Sequence, residues 1–265
     1  MKRVISALVA LALLVPIFII GGTFYQVTIL VLGLIGLKEF LDIKETKKEL
    51  PAFVKFIAYI IFTLFVVSNI DTKSIILSVD YRIIATLLLA FLMPTVLYHE
   101  REKYSVNDAF YLIGGIFFLS SAFKLLIFMR FYDLKYLVYL FLITILTDTF
   151  ALYTGMLVGK NKLLEEVSPK KTWEGFFGGT FVSVIISSIY FITVINPNIN
   201  IFLLIIITIF LSILGQFGDL LFSAIKRYYG KKDFSNLMPG HGGILDRLDS
   251  IIFVLLGFMF FIEMI

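Results

Sequence analysis

Nine runs of apolar residues, each close to the length needed to cross a bilayer, follow one another with only short polar stretches between them. A helix crosses the hydrocarbon core in roughly 20 mostly apolar residues. On that measure the runs are 4–20, 24–41, 52–69, 81–98, 108–129, 134–158, 174–195, 200–226 and 245–263. The stretch 74–80 is apolar enough to lengthen the fourth run as a tilted span, or to form an interfacial turn. Within lipid the backbone must satisfy its own hydrogen bonds, so runs of this kind fold as helices. The expected fold class is therefore all-α, a polytopic integral membrane protein of about nine transmembrane helices. Charged residues make up 16% of the chain, against roughly 25% in a soluble domain. No polar stretch is long enough for a separate soluble domain.

Lys2 and Arg3 precede the apolar run Val4 to Ile20, which is the layout of a signal peptide. No small-residue cleavage pattern is evident and further spans follow, so an uncleaved first span is expected. Of the 23 Lys and Arg residues, all but Lys73, Arg82, Lys124, Arg130 and Lys135 fall on one side of this nine-span layout. The positive-inside rule then places the N-terminus, and the loops after the second, fourth, sixth and eighth spans, in the cytoplasm. The basic residues cluster by loop, so the net charge of +4 speaks of topology and not of nucleic acid. The chain has no cysteine, which excludes disulfide and thiolate chemistry.

The two halves differ in character. Residues 1–133 hold about five spans, mainly apolar, and read as a scaffold. Residues 134–265 hold about four spans and nearly all the chemistry-capable groups. In the sixth span, Thr144, Thr147, Asp148, Ala151, Gly155 and Gly159 recur at helical spacing as one small or polar stripe. Asp148 precedes Gly159 by eleven residues, which is ~16 Å along a helix and near mid-membrane. Similar stripes are Ser212, Gly215, Gln216, Asp219, Ser223 and Lys226 in the eighth span, and Asp246, Asp249, Ser250, Phe253 and Gly257 in the ninth. The expected arrangement is that the three stripes face one another around a wet cavity open to the cytoplasm. The blander alternative is a helix–helix hydrogen bond at a lone Asp, with small residues marking close packing.

Carboxylates kept together at low dielectric call for a cation. Oxygen ligands without His or Cys suit Mg²⁺. Two cytoplasmic loops supply the complement. After Pro169 come Lys170 and Lys171, with Glu174 in the first turn of the next helix. The other loop carries Lys226, Arg227, Lys231 and Lys232, then Gly240, Gly242 and Gly243 before the ninth helix. Backbone N–H groups at such a helix start form an anion site, and the ensemble suits a polyphosphate bound through Mg²⁺. Taken singly, these lysines could instead be topology signals or anionic-lipid contacts, and His241 a loop cap. His99, among charges at the end of the fourth span, reads as structural.

The stretch SAIKRYYGKKDFSNLMPGHGGILDRLD, Ser223 to Asp249, resembles the signature of the phosphatidate cytidylyltransferases, or CDP-diacylglycerol synthases. That pattern runs S-x-hydrophobic-K-R, four free positions, K-D, and later P-x-H-G-G-x-x-D-R-x-D. Every polar position is present, and Met238 is a conservative departure from the usual Leu, Ile or Phe. DTFALYTGMLVGKNKL, SPKKTWEGFFGG and GQFGDLLFSAIKR also look like family blocks, whereas spans one to five agree only in hydropathy.

The resemblance implies transfer of cytidylyl from CTP to phosphatidic acid, giving CDP-diacylglycerol and pyrophosphate. It implies Mg²⁺ as cofactor, with room for a second cation, held by Asp219, Asp246 and Asp249. Lys170, Lys171, Lys226, Arg247 and Asp249 would carry the chemistry. Ser223, Arg227, His241, Gly242 and Gly243 would bind substrate phosphate. Asp148 would organise the cavity or hold the second metal, and Glu174 stands beside it as a further candidate. Partners are then CTP, phosphatidic acid and the lipid bilayer, with a homodimer as one option and no nucleic acid. The expected location is the cell (cytoplasmic) membrane, with the N-terminus and the reacting groups on the cytoplasmic side. Two competing functions are a CTP-dependent lipid kinase and an ion-coupled transporter. Pyrophosphate release would belong to the transferase alone.

Overall fold

A computed structural model describes residues 12, 15–68, 80–98, 103–238, 240 and 242–264. Most of the first apolar run, the stretch 74–79, and both histidines, His99 and His241, lie outside the described residues. The helices are α1 (Gly22–Glu45), α2 (Ala52–Val67), α3 (Tyr81–Leu97), α4 (Val106–Tyr132), α5 (Leu134–Val158), α6 (Trp173–Tyr190), α7 (Ile201–Tyr228) and α8 (Leu245–Phe258). A π-helical turn, Phe191–Ile195, extends α6. Two strands, β1 (Lys162–Leu164) and β2 (Ser168–Thr172), form an antiparallel hairpin between α5 and α6. The protein is an all-α polytopic membrane protein. Among the described residues five helical segments are long and apolar enough to cross a membrane: Gly22–Glu45, Val106–Tyr132, Leu134–Val158, Trp173–Ile195 and Ile201–Tyr228. The helices α2 and α3 are apolar but shorter.

Where the observed ends differ from the sequence reading, local hydrogen bonding gives the reason. The last helix stops at Phe258 instead of 263, because Phe260, Phe261 and Met264 bond three residues back, to Gly257, Phe258 and Phe261. Such i→i+3 bonds tighten the final turns. The end of α6 loosens into the π turn so that Phe191, fully buried, packs edge-on against Tyr136 and Tyr139.

The chain forms two units: residues 1–131 with 233–245, and residues 132–232 with 246–265. In the first, glycines admit aromatic rings. A Cβ on Gly115 would fall 2.1 Å from the Phe40 ring, and one on Gly33 would fall 2.8 Å from Phe62. Small residues of this kind let helices approach where lipid offers no hydrophobic drive. Buried Asp108 gathers Lys44, Lys48 (2.6 Å) and the Ser105 hydroxyl (2.7 Å). Lys124, also buried, donates to Ser68 Oγ at 2.8 Å and lies over the Phe65 ring. Gly21 has φ 70°, and Arg130 presses against it while donating to the carbonyls of Phe18 and Ile19.

In the second unit glycines face backbone instead of rings. A Cβ on Gly179 would lie 2.5 Å from the Thr147 carbonyl, so α5 and α6 meet backbone to backbone. Gly218 does the same for α7 and α8, where a Cβ would lie 2.6 Å from the Asp249 carbonyl. A buried polar ladder joins α5, α6 and α7. Thr147 bonds Ser212 (2.8 Å), Ser212 bonds Thr180 (3.2 Å), and Gln216 bonds Thr180 (2.9 Å). Interhelical hydrogen bonds of this type satisfy polar groups that lipid could not.

Candidate active site

The hairpin decides which of two adjacent lysines turns inward. Lys170 is exposed, whereas Lys171 reaches Asp219 of α7, with its ammonium 2.5 Å from Oδ2. The pair meets off the hydrogen-bond axis, so this buried ammonium has no aligned acceptor among the described residues. Thr172 then caps α6 by accepting from the Gly175 amide at 3.1 Å. Glu174 accepts from the amide and side chain of Asn161, bracing the hairpin against the start of α6. That contact gives Glu174 a structural place at the hairpin.

One helical turn along α7 from Asp219 stands Ser223, whose hydroxyl faces Asp219 Oδ1 at 3.4 Å. Lys226 follows, buried, and donates to Asp246 Oδ1 of α8 at 2.6 Å. Arg227, the next residue, is exposed and donates to the Lys231 carbonyl at 2.8 Å, holding the turn that ends α7. On α8, Arg247 is exposed and Asp249 is buried, with Asp249 Oδ1 accepting from the Ser250 amide at 2.9 Å. The Ser250 hydroxyl in turn donates to Asp148 Oδ2 of α5 at 3.2 Å. Asp148 is itself accessible, yet close enough to Asp219, Lys171 and Arg247 to feel their charges, and Asp249 likewise feels Asp148 and Asp219.

The structure therefore brings together Asp148, Lys171, Asp219, Ser223, Lys226, Asp246, Arg247 and Asp249. It leaves Lys170 and Arg227 pointing elsewhere, and His241 is outside the described residues. The helix start chosen from sequence as a phosphate cradle is used differently. The Gly242 amide donates to the Met238 carbonyl at 3.1 Å. The next amides, those of Ile244 and Leu245, donate to the carboxylate of Glu39, each at 2.9 Å. A protein carboxylate takes the anion position that the sequence reading gave to substrate. Glu39 escaped that reading because it sits among Lys38, Asp42, Lys44 and Glu45 at a charged helix end, where one more charge carries no signal.

Among the described residues no group of three or more His, Cys, Asp or Glu side chains is already gathered as a metal cage. Asp219 and Asp246 each face a lysine instead. Mg²⁺ seldom requires an all-protein cage; it binds one or two carboxylates, waters and substrate phosphates. Four carboxylates (Asp148, Asp219, Asp246, Asp249) beside three cations (Lys171, Lys226, Arg247) leave oxygen donors to spare, which fits a hard cation arriving with a polyphosphate.

Apolar helices, with a hairpin between α5 and α6, that bring together a half-buried lysine–aspartate pair and a buried one define an integral membrane protein with a charged centre. The chain belongs to the cytidylyltransferase family, whose model matches residues 1–265. It is 39% identical over 259 residues to "Phosphatidate cytidylyltransferase" of Staphylococcus haemolyticus (strain JCSC1435), covering 96% of this chain and 95% of the relative. With the same shares covered, it is 36% identical over 254 residues to the protein of that name from Staphylococcus epidermidis, strain ATCC 12228 / FDA PCI 1200, and 35% identical over 261 residues to that of Staphylococcus aureus, strain COL.

Proposed function

We propose that this chain transfers the cytidylyl group of CTP to phosphatidic acid, giving CDP-diacylglycerol and pyrophosphate. Family membership and near-full-length relatives of that name support the reaction. The observation that carries the site is the Lys171 ammonium, buried and ion-paired with Asp219 but not aligned on any described acceptor. It has hydrogen-bond capacity left for a phosphate oxygen.

In the reaction a phosphate oxygen of the lipid bonds to the α-phosphorus of CTP. The bond from that phosphorus to the bridging oxygen breaks, and pyrophosphate leaves with the electron pair. The attacking oxygen is already anionic near neutral pH, so no side chain need remove a proton. What the chain must do is bring two anions together and hold them in line. Lys171 and Lys226 neutralise phosphate charge as it accumulates, and Arg247 at the accessible end of α8 meets the substrates. Asp219 and Asp249, with Asp148 or Asp246 adjoining, would hold Mg²⁺, which when bound would supply charge stabilisation at the phosphates. Ser250 links two of these carboxylates, its amide donating to Asp249 and its hydroxyl to Asp148.

The assay is direct. Purified protein with CTP and phosphatidate is expected to release pyrophosphate in one-to-one ratio with a CDP-linked lipid. Release of CDP with a newly phosphorylated lipid would point to a kinase, and no turnover of either nucleotide or lipid would reject the transferase.

The orientation proposed for the site is cytoplasmic, with the N-terminus inside the cell membrane. It rests on the one-sided distribution of Lys and Arg. A cysteine introduced at Lys232 is expected to react with an impermeant maleimide only from the cytoplasmic face, and one at Asn198 only from outside. There is no native cysteine to interfere. Labelling of both from one side would overturn the topology.

A further inference from the structure

Glu39 of α1 is 3% exposed, and both its oxygens are committed to one short segment. Oε1 accepts from the Ser235 hydroxyl at 2.6 Å and from the Ile244 amide at 2.9 Å, and Oε2 accepts from the Leu245 amide at 2.9 Å. Ile244 and Leu245 are the last residue before α8 and its first residue. Amides at a helix start lack intrahelical partners and favour a negative charge. Gly243 completes the fit, since a Cβ there would lie 2.2 Å from Oε1. Met238 and Gly242 close the segment by exchanging two backbone hydrogen bonds, at 2.9 and 3.1 Å, with Gly242 at φ 82°. The segment is thus looped on itself and tied to one buried carboxylate. The residue after Leu245 is Asp246, and Asp249 follows three positions on.

We propose that Glu39 is a positioning residue for cytidylyl transfer: by holding the amides of Ile244 and Leu245 it sets the helix start from which Asp246 and Asp249 project. It touches no substrate. A carboxylate accepts through both oxygens, whereas an amide side chain would turn an N–H toward one of the three donors. The inference rests on the reading of Asp246 as part of the reacting centre, so its test needs a readout that does not depend on activity.

Full-length Glu39→Gln, Glu39→Asp and the control Glu45→Gln would be compared by detergent Tm, steady-state kinetics and hydrogen exchange. For Glu39→Gln the expected result is a fall in kcat of about tenfold to a hundredfold, the loss of one charge-assisted hydrogen bond. KM values for CTP and phosphatidate stay near wild type, and exchange across 235–245 quickens while that of α4 does not. Glu39→Asp, which keeps the carboxylate, recovers part of kcat, and Glu45→Gln behaves as wild type. Wild-type kcat in Glu39→Gln overturns the positioning role. So does a loss of kcat that merely follows a fallen Tm with no recovery in the Asp variant. Unchanged exchange across 235–245 overturns the hold itself. Should Glu39→Gln fail to fold, Ser235→Ala removes one donor and leaves the carboxylate; a smaller fall in kcat with faster exchange is expected, and wild-type values for both overturn the proposal. A fully active Asp246→Asn enzyme would instead sink the site reading while leaving the exchange result standing.

Discussion

Asp219→Asn is expected to lower turnover at least about a hundredfold, since the loss of a metal or charge contact in the transition state removes several kcal/mol. Its fold should survive, because Asp219 and Lys171 are each about a quarter exposed, at 29% and 24% of their side chains. Asp246→Asn is expected to cost as much turnover, but through a different balance. Its carboxylate and Lys226 have side chains only 2% and 8% exposed. Removing one member of a buried pair costs ~3–5 kcal/mol, so this variant should also lose thermal stability in detergent. The double variant Lys226→Met/Asp246→Leu separates the two effects, because apolar replacement of a buried pair is often neutral for stability. Stability should return and activity should not. If activity returned with stability, the pair would be a structural tie and the site would have to be sought elsewhere on α7 and α8. Near wild-type turnover by a folded Asp219→Asn enzyme would remove Asp219 from the mechanism altogether.

The second large effect concerns two adjacent lysines that the sequence cannot rank. Lys171→Gln is expected to lower kcat/KM for CTP or phosphatidate by about tenfold to a hundredfold, the value of ~1.5–3 kcal/mol for a charge-assisted contact. Lys170→Gln should change it little, since that side chain is exposed. Lys47→Gln, in another basic loop, serves as control. Steady-state kinetics on the three variants at matched detergent and lipid concentration decides the matter. Equal small losses at 170 and 171 would reduce both to topology signals.

These cases mark how far the sequence could be read. Hydropathy delivers the membrane helices because the bilayer imposes one length and one composition on each of them. The stripes on α5, α7 and α8 are legible for a similar reason, as helical spacing maps directly onto a face. The inward turn of Lys171 is not legible. Ser168 to Thr172 shows no apolar alternation and contains a proline, so nothing announces a strand. Glu174 reads as an acid near a catalytic loop, and only the hairpin reveals Asn161 as its partner. Glu39 is the deepest omission. Its partners lie about two hundred residues away in the chain, and tertiary contacts of that range leave no local pattern.

The two lysine–aspartate pairs have a consequence for which anions this protein will accept. Each ammonium already faces an internal counter-ion, so an arriving phosphate gains only the difference between two ionic partners. A bare orthophosphate that drew a lysine away from its aspartate would leave that carboxylate uncompensated, which would make the exchange unfavourable. A nucleotide that brings its own divalent ion offers each aspartate a new partner as it takes the lysine, and the swap becomes nearly balanced. Such a centre is expected to behave as an ion exchanger that ignores loose phosphate and responds to chelated polyphosphate. Both sides of the swap conserve charge, so the preference should persist as ionic strength rises.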